Sequence, residues 1–364
     1  MKKLRFFLIC ALMITALLAA GLSASFLHKG AAFARPTAEY ITAPTGEVFG
    51  TDGLPFGRSL DIDPLEVTAE HVIFSDRVLR LFIVDPESLD SGNQKINESM
   101  QNVPAGINKY LLIAPTRITF EDESTRQYSG DELVAISDSY SSMPSDVKTV
   151  DISTVLGAHG DEYLFFRTDS EWTSIAAYYA ASTFCEAAGI QPPDISAYRE
   201  FRFIDYVGTL RIIDSSKSLR VVPDHVAYHL SDGMINEQTI TARISSGEYI
   251  TYRSPTVSQA RMGVDIFVGG YFSHTIIEGA ADNGKVLMIV GDDYAKAFST
   301  WMVPCCEKIV LVNPRYFAGT DSEFMRLFTD HAVTDFLILE NAQNLGDSTF
   351  NTWTHRLFTE STPE

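Results

Sequence analysis

Cysteine is scarce, with four in 364 residues. Cys10 lies in an N-terminal apolar run, which leaves Cys185, Cys305 and Cys306. Three thiols make no disulfide framework for a domain of this size. Adjacent Cys305 and Cys306 rarely bridge each other; a link from Cys185 to one of them stays open beside the favoured reading, buried free thiols. No Cys or His cluster has the ligand spacing of a zinc site. Positive charge is also in short supply: 28 basic against 47 acidic residues give a formal charge of −19. Lys2, Lys3 and Arg5 precede the apolar run, so the remainder carries −22. Such a field excludes nucleic acid and anionic lipid headgroups as partners, and solubility is its plainest use. After residue 26 no stretch is long and apolar enough to span a bilayer, so that part is expected to be soluble. Internal repeats and low-complexity tracts are absent from the sequence.

What is present begins with Met1-Lys2-Lys3-Leu4-Arg5, followed by an uncharged run from Phe6 to Phe26. Secretory apolar cores are usually ~7–15 residues long and a spanning helix about 20, and this run is nearer the second. The favoured reading is a signal anchor over residues 1–26, basic end in the cytoplasm. Cleavage near Ser23 and Ala24, or at Ala32-Phe33-Ala34, is the alternative and would give a secreted protein. Either way the bulk is expected outside the cytoplasmic membrane. Residues 27–63, rich in Gly, Pro, Ala and Thr, read as a stalk or lead-in. Residues 64–345 fit one large α/β domain, with a β-rich insertion at 191–264, and residues 346–364 read as a tail.

Dense apolar runs predict strands at Val78–Val84, Lys109–Ala114, Val147–Asp151, Glu162–Phe166, Lys285–Val290, Lys308–Val312 and Asp335–Glu340. Helical spacing falls between them: Asn93–Met100, Asp131–Tyr140, Trp172–Ala188 closed by Gly189, Gly291–Trp301 and Ser322–Thr329. The Trp172 helix is apolar on more than one side and should be buried against the sheet. The insertion reads as short polar strands, at Tyr206–Ile212, Leu219–Val222 and Tyr249–Tyr252. Continuous apolar strands alternating with helices indicate a doubly wound, mainly parallel sheet.

Two segments carry the chemical signal: Arg167-Thr168-Asp169-Ser170-Glu171-Trp172-Thr173 and Val290-Gly291-Asp292-Asp293-Tyr294. Both resemble segments of the DHHW family, relatives of the alginate O-acetylation proteins with an SGNH-hydrolase-like domain. There the first reads Asp-x-His-Trp-Thr and the second Gly/Lys-Asp-Ser-Tyr. Val207-Gly208-Thr209-Leu210, Phe267-Val268-Gly269-Gly270 and Val312-Asn313-Pro314-Arg315-Tyr316 match further elements in the same order. The resemblance implies a three-layer α/β/α sandwich of SGNH type with circularly permuted motif order, in which Asp and His precede Ser. In an intact member, Ser attacks an ester, His takes its proton, and Asp orients the imidazole. Here Asp169 matches the Asp, Glu171 stands at the His position and Asp293 at the Ser position. Gly269, Gly270 and Tyr271, with Trp172, would form the oxyanion corner and cleft.

A carboxylate is a poor nucleophile toward esters, and its charge repels a developing oxyanion. Without hydroxyl and imidazole only binding and oxyanion stabilisation remain. Asp169, Glu171 and Asp293 together require a protonated carboxyl or a cation among them; the latter would be a Ca²⁺ or Mg²⁺ site, and otherwise no cofactor is implied. A carboxylate-pair glycosidase has no other support. A simpler reading makes Thr168-x-x-Glu171 a capping box and Asp292 or Asp293 a helix N-cap. No histidine restores the site, with His159 and His274 the nearest candidates by segment. The resulting expectation is a membrane-anchored, catalytically degenerate DHHW-type protein that binds glycan or scaffolds cell-surface polysaccharide modification beside a membrane-bound O-acyltransferase. The alternatives are an active O-acetyltransferase or acetylesterase, and a carboxylate-lined divalent-metal site.

Overall fold

The computed structural model describes residues 63–213, 223–231, 237–243, 249–257, 262–270, 272–317 and 319–359. The N-terminal apolar segment, the lead-in as far as residue 62, the expected strand Leu219–Val222 and Tyr271 lie outside the described residues.

Three short strands, β1 (Glu66–Val67), β2 (His71–Ile73) and β3 (Val78–Arg80), form an antiparallel meander of their own. The apolar run from Val78 therefore gives a strand only as far as Arg80. Its continuation ends at Asp85, whose carboxylate accepts the Ser88 N–H at 2.9 Å and caps helix α1 (Pro86–Asn102) well before Asn93. Strands β4 (Asn108–Ala114) and β5 (Val147–Thr149) flank helix α2 (Glu132–Ser141), capped by Asp131. Helix α3 (Ser174–Ala188) ends on Gly189, whose φ of 68° is the left-handed turn glycine allows.

The insertion supplies an antiparallel ribbon, β6 (Tyr198–Tyr206) with β7 (Asp224–Ser231), and a hairpin, β8 (Glu237–Arg243) with β9 (Tyr249–Pro255). Strand β6 stops at Tyr206, and Thr209–Ile212, expected to be extended, is a 3₁₀ turn. Then come β10 (His274–Glu278), β11 (Val286–Gly291), helix α4 (Tyr294–Met302), β12 (Lys308–Val312), helix α5 (Asp321–Asp330) and β13 (Asp335–Asn341). The segment from 346, expected as a tail, instead carries helix α6 (Thr349–Thr359). Phe350 and Leu357, two turns apart on one face, are buried there.

Eight strands form one sheet in the order β5-β4-β13-β11-β12-β10-β8-β9. From β5 to β12 all pairings are parallel; β10, β8 and β9 add an antiparallel flank. Side-chain alternation divides the core into two layers. Tyr110, Leu112, Leu287, Ile289, Leu337 and Leu339 pack toward α3 and α4. Their neighbours Leu111, Ile113, Met288, Val290, Phe336 and Ile338 pack with residues of α1, α2, α5 and α6. The sheet is thus buried on both faces, a three-layer α/β/α sandwich, as its continuous apolar runs require. Turns after the carboxyl ends of β4, β11, β12 and β13 open on one edge, the usual position of a site in such sheets.

Candidate active-site cleft

The strand expected at Glu162–Phe166, leading into the first motif, does not form. Phe165 and Trp172 form an isolated antiparallel bridge, and Thr173 N–H donates to Leu164 O at 2.9 Å. The six residues between them make a closed loop, and α3 starts only at Ser174, with Thr173 as an N-cap whose hydroxyl donates to Tyr163 O at 2.7 Å instead of capping the helix. The capping-box reading is therefore incorrect. Thr168 is buried and gives its hydroxyl to Asp224 at the head of β7, while accepting Gly208 N–H at 2.8 Å. Asp224 also accepts Arg167 N–H at 3.1 Å, Thr168 N–H at 2.8 Å and the Tyr163 hydroxyl. A carboxylate 56 residues downstream thus sets the loop's shape.

Asp169, 4% exposed, is held by several donors. Its Oδ2 accepts the Tyr206 hydroxyl at 2.7 Å and Thr209 N–H at 2.9 Å, and its Oδ1 accepts Glu171 N–H at 3.2 Å. A side chain on Gly208 would begin 2.5 Å from the Asp169 carboxylate and from Thr168 O, which explains glycine in the Val207–Leu210 element. Hydrogen bonding to Asp169 and burial push the Tyr206 phenol well above its ordinary range, burial being the larger cause.

The second motif opens from β11. Asp292 is spent on structure: Oδ1 accepts Tyr294 N–H at 2.9 Å, and Oδ2 accepts the Asn341 N–H, the Asn341 amide and the Asn344 amide. Asp293 occupies the N-cap position of α4 but makes no side-chain cap bond, so the cap is supplied by Asp292 alone. The two motifs interlock through Trp172 and Tyr294. Trp172 Nε1 donates to Tyr294 O at 3.0 Å, the Tyr294 hydroxyl donates to Ser170 O at 3.0 Å, and the ring centroids lie 4.7 Å apart.

Between them is a residue that sequence reasoning missed. Lys296, on the first turn of α4 and 4% exposed, places Nζ 2.9 Å from Glu171 Oε1. A lone lysine within the otherwise apolar stretch Tyr294–Phe298, three residues after Asp293, was the available signal. Burial drives the Glu171 carboxyl up to about 8 against the pull of Lys296, and the charges of Asp169 and Asp293 add to the rise. Asp293 also moves up, through burial opposed by Lys296 and Arg315 and reinforced by Asp169 and Asp265. Burial works to lower Lys296, yet Glu171, Asp293 and Asp265 hold it above the ordinary lysine value. All three shifts have one sense: burial, reinforced by neighbouring negative charge, keeps protons on Glu171 and Asp293, and the carboxylates keep the proton on Lys296.

Asp169, Glu171 and Asp293 therefore share one electrostatic site, with Lys296 as the cation among them. Among the described residues, no group of three or more His, Cys, Asp or Glu is arranged to hold a metal ion. Gly269 and Gly270 turn with φ of 81° and 116°. Gly270, Gly291, Asn313 and Lys296 line a void of about 20 Å³, so the expected oxyanion corner has roughly one water's space. On the other side, Asp169, Ser170 and Glu171 line a cleft of about 60 Å³ with Thr116, Asn341 and Gln343.

Neither candidate histidine hydrogen-bonds to Asp169, Glu171 or Asp293. His159 stacks on Tyr179 at 3.9 Å and bonds Glu162, and His274 lies in β10, lowered to about 4 chiefly by burial. A Ser–His–carboxylate chain does occur in another place: Ser174 Oγ lies 3.1 Å from His229 Nδ1, and His229 Nε2 is 3.6 Å from Glu200. Ser174 is 1% exposed, and the Trp301 indole donates to its carbonyl at 2.8 Å and to its Oγ at 3.2 Å. That chain ties the β6–β7 ribbon to α3; its hydroxyl has no room for a substrate.

Comparison with known proteins places the fold. Residues 84–312 match the family model described as DHHW protein. A DHHW family protein from Eubacterium siraeum DSM 15702 superposes with a TM-score of 0.70 at 22% identity, covering 82% of this chain and 99% of that one. Bacillus cereus PatB1, solved with a sulfonyl adduct, superposes at 0.63 with 14% identity over 77% of this chain and 97% of its own. A second structure of PatB1 gives 0.61 with 16% identity over 77% and 99%. No curated protein matches the sequence. At these identities the superpositions establish a shared fold.

Proposed function

Since the chain belongs to the DHHW family and has its SGNH-like sandwich, we propose that it is a catalytically degenerate member, a glycan-binding or scaffold component of cell-surface polysaccharide modification. The observation that carries this reading is the 2.9 Å Glu171–Lys296 ion pair. At the position where the family has an imidazole, the chain has a carboxylate bound to an ammonium; where the family has a hydroxyl, it has Asp293. A proton held between these groups has no nucleophile to leave and no leaving group to meet. The negative cluster also opposes charge building on an ester oxygen. What remains is an enclosed polar cleft between the β4, β13 and Asp169 turns, suited to hydroxyl groups rather than to acyl transfer.

The extracytoplasmic setting rests on the basic residues followed by the apolar run at Phe6–Phe26, and the polysaccharide on the family resemblance. Among the described residues no helix is long and apolar enough to cross a membrane.

The test is an acetyl-ester assay alongside a sulfonyl fluoride, chosen because PatB1 has been obtained with a sulfonyl adduct. The wild-type chain is expected to show neither turnover nor labelling. The double variant E171H/D293S should gain labelling at Ser if the cleft is otherwise complete. Turnover by the wild type that is lost in D293A would overturn the reading in favour of an active O-acetyltransferase or esterase. Turnover lost in S174A would assign activity to the Ser174–His229–Glu200 chain instead.

A further inference from the structure

Glu132 is the first residue of α2, a place where an exposed glutamate ordinarily serves the helix dipole. Asp131 already caps that helix, its Oδ1 accepting the Leu133 and Val134 N–H groups at 3.0 and 3.2 Å. The Glu132 carboxylate is turned inward instead and is 2% exposed. Its Oε2 accepts Thr116 N–H at 2.7 Å and the Thr119 hydroxyl at 2.6 Å. Its Oε1 accepts the Thr116 hydroxyl at 2.6 Å and the Gln343 amide at 2.9 Å. Four donors thus fill the two oxygens. Burial raises this carboxyl and the four donors oppose the rise. A proton bound there faces a threonine hydroxyl, which can reverse its role, and Gln343 keeps its place in either state.

Bracing the Thr116 turn is reason enough for a buried carboxylate. What goes beyond bracing is the amide it orients. Gln343 Nε2 donates to Glu132 Oε1 and, at 3.3 Å, to Thr116 Oγ1, so both its hydrogens are engaged. Turning the amide over would set its oxygen against the carboxylate, which fixes Gln343 Oε1 on the opposite side. Thr116 and Gln343 both line the cleft beside Asp169 and Glu171. Among the described residues nothing donates to Gln343 Oε1, and that atom is open to the cleft rather than sealed in the core. The neighbouring amide does not duplicate it: Asn341 donates to Asp292 at 2.7 Å, and its Oδ1 accepts Gln343 N–H at 3.0 Å.

We propose that Gln343, oriented by Glu132, makes the cleft selective for a glycan with a free hydroxyl over the same glycan acylated at that hydroxyl. This rests on the glycan-binding reading above. A free hydroxyl donates to Gln343 Oε1. An ester oxygen has no hydrogen to give, so it leaves the amide oxygen desolvated and unmet. The cleft, about 60 Å³, favours the smaller group as well. A neutral glycan is the class that fits, because the −22 charge of the chain after the apolar run repels acidic polymers. Glu132 itself touches no ligand; it is a positioning residue.

The probes are two neutral polysaccharides, xylan and glucomannan, each immobilised in its O-acetylated and its alkali-deacetylated form. The full wild-type chain should bind a deacetylated form more tightly than its acetylated counterpart by at least about tenfold. Q343L should bind both forms alike. E132Q carries the sharper expectation. Thr116 N–H can only donate, so the new amide keeps its oxygen there and turns its N–H groups toward Gln343. Gln343 must then turn over and present N–H to the cleft, and the preference is lost although both positions remain polar. A merely structural role for Glu132 would weaken binding to both forms together and leave their ratio unchanged, which would overturn its part in the proposal. Equal wild-type affinity for both forms, or tighter binding of the acetylated one, would overturn the selectivity and leave the glycan-binding reading standing. Binding to neither polysaccharide in any form would remove that reading and this inference with it. The wild-type ratio decides the matter even where E132Q or Q343L fails to fold.

Discussion

Lys296 and Glu171 define the site at the scale of the single residue. Above about pH 8, where Glu171 is ionised, the two buried charges are held by each other, and removing one strands the other. Lys296→Met is expected to lower stability in urea unfolding more at about pH 9 than at about pH 6, where the raised Glu171 carboxyl holds a proton, and E171L/K296M should remove that difference because no charge is left unpaired. The pH dependence follows from the direction of the shifts. Glu171 rises from 4.5 to about 8 on folding, and Asp292, mainly through burial, from 3.8 to about 7. A raised carboxyl binds a proton in the folded state that the unfolded chain has released, so its stabilisation is complete below the unfolded value and is lost as pH climbs through the folded one. The melting temperature should therefore fall between about pH 5 and pH 8. E171Q should flatten the slope, most of all above pH 7, where Asp292 has already titrated. Glu200, which hydrogen bonds to His229 and the Arg202 charge hold down to about 2 against burial, acts at lower pH and leaves this window unaffected.

At the scale of the element, the loop Arg167–Trp172 owes its shape to the ribbon packed on it. Asp224 opens β7 and collects the backbone donors of Arg167 and Thr168. Asp224→Ala leaves those groups buried and unmet, and is expected to lower stability by about 3 kcal/mol or more in denaturant titration. Gly208→Ala should do comparable damage through the 2.5 Å approach to Asp169, displacing the carboxylate that Thr209 and Tyr206 hold. Neither dependence was legible in the sequence, since no periodicity links Thr168 to an aspartate in the insertion. Local rules favoured a capping box, because Thr-x-x-Glu before an apolar run has that form. Tertiary partners with stronger bonds took both side chains. By contrast, α3 was legible from its apolar sides and Gly189, and only its first residues were misplaced, because the Phe165–Trp172 bridge keeps Trp172 extended.

For the whole molecule, the last helix matters more than its position near the terminus suggests. Phe350 and Leu357 fill the layer beneath β13, and the Asn351 amide, with its nitrogen turned inward, reaches the buried Glu340 carboxylate at 3.0 Å. Deleting residues 349–364 should cost at least about 3 kcal/mol from two lost apolar side chains, seen as a lowered denaturation midpoint.

The sequence by itself determined the sheet. Runs such as Val286–Val290, Lys308–Val312 and Phe336–Leu339 are apolar at consecutive positions, and only a strand covered on both faces accommodates that pattern. It also determined the family, through five ordered segments, and the acidic charge. Tertiary structure decided what those segments do. It set Glu171 against Lys296, turned Thr168 to Asp224, and locked the Trp172 indole onto the Tyr294 carbonyl. Each of these is a pairing between residues far apart in the chain, and its strength comes from burial, which exists only once the layers have closed.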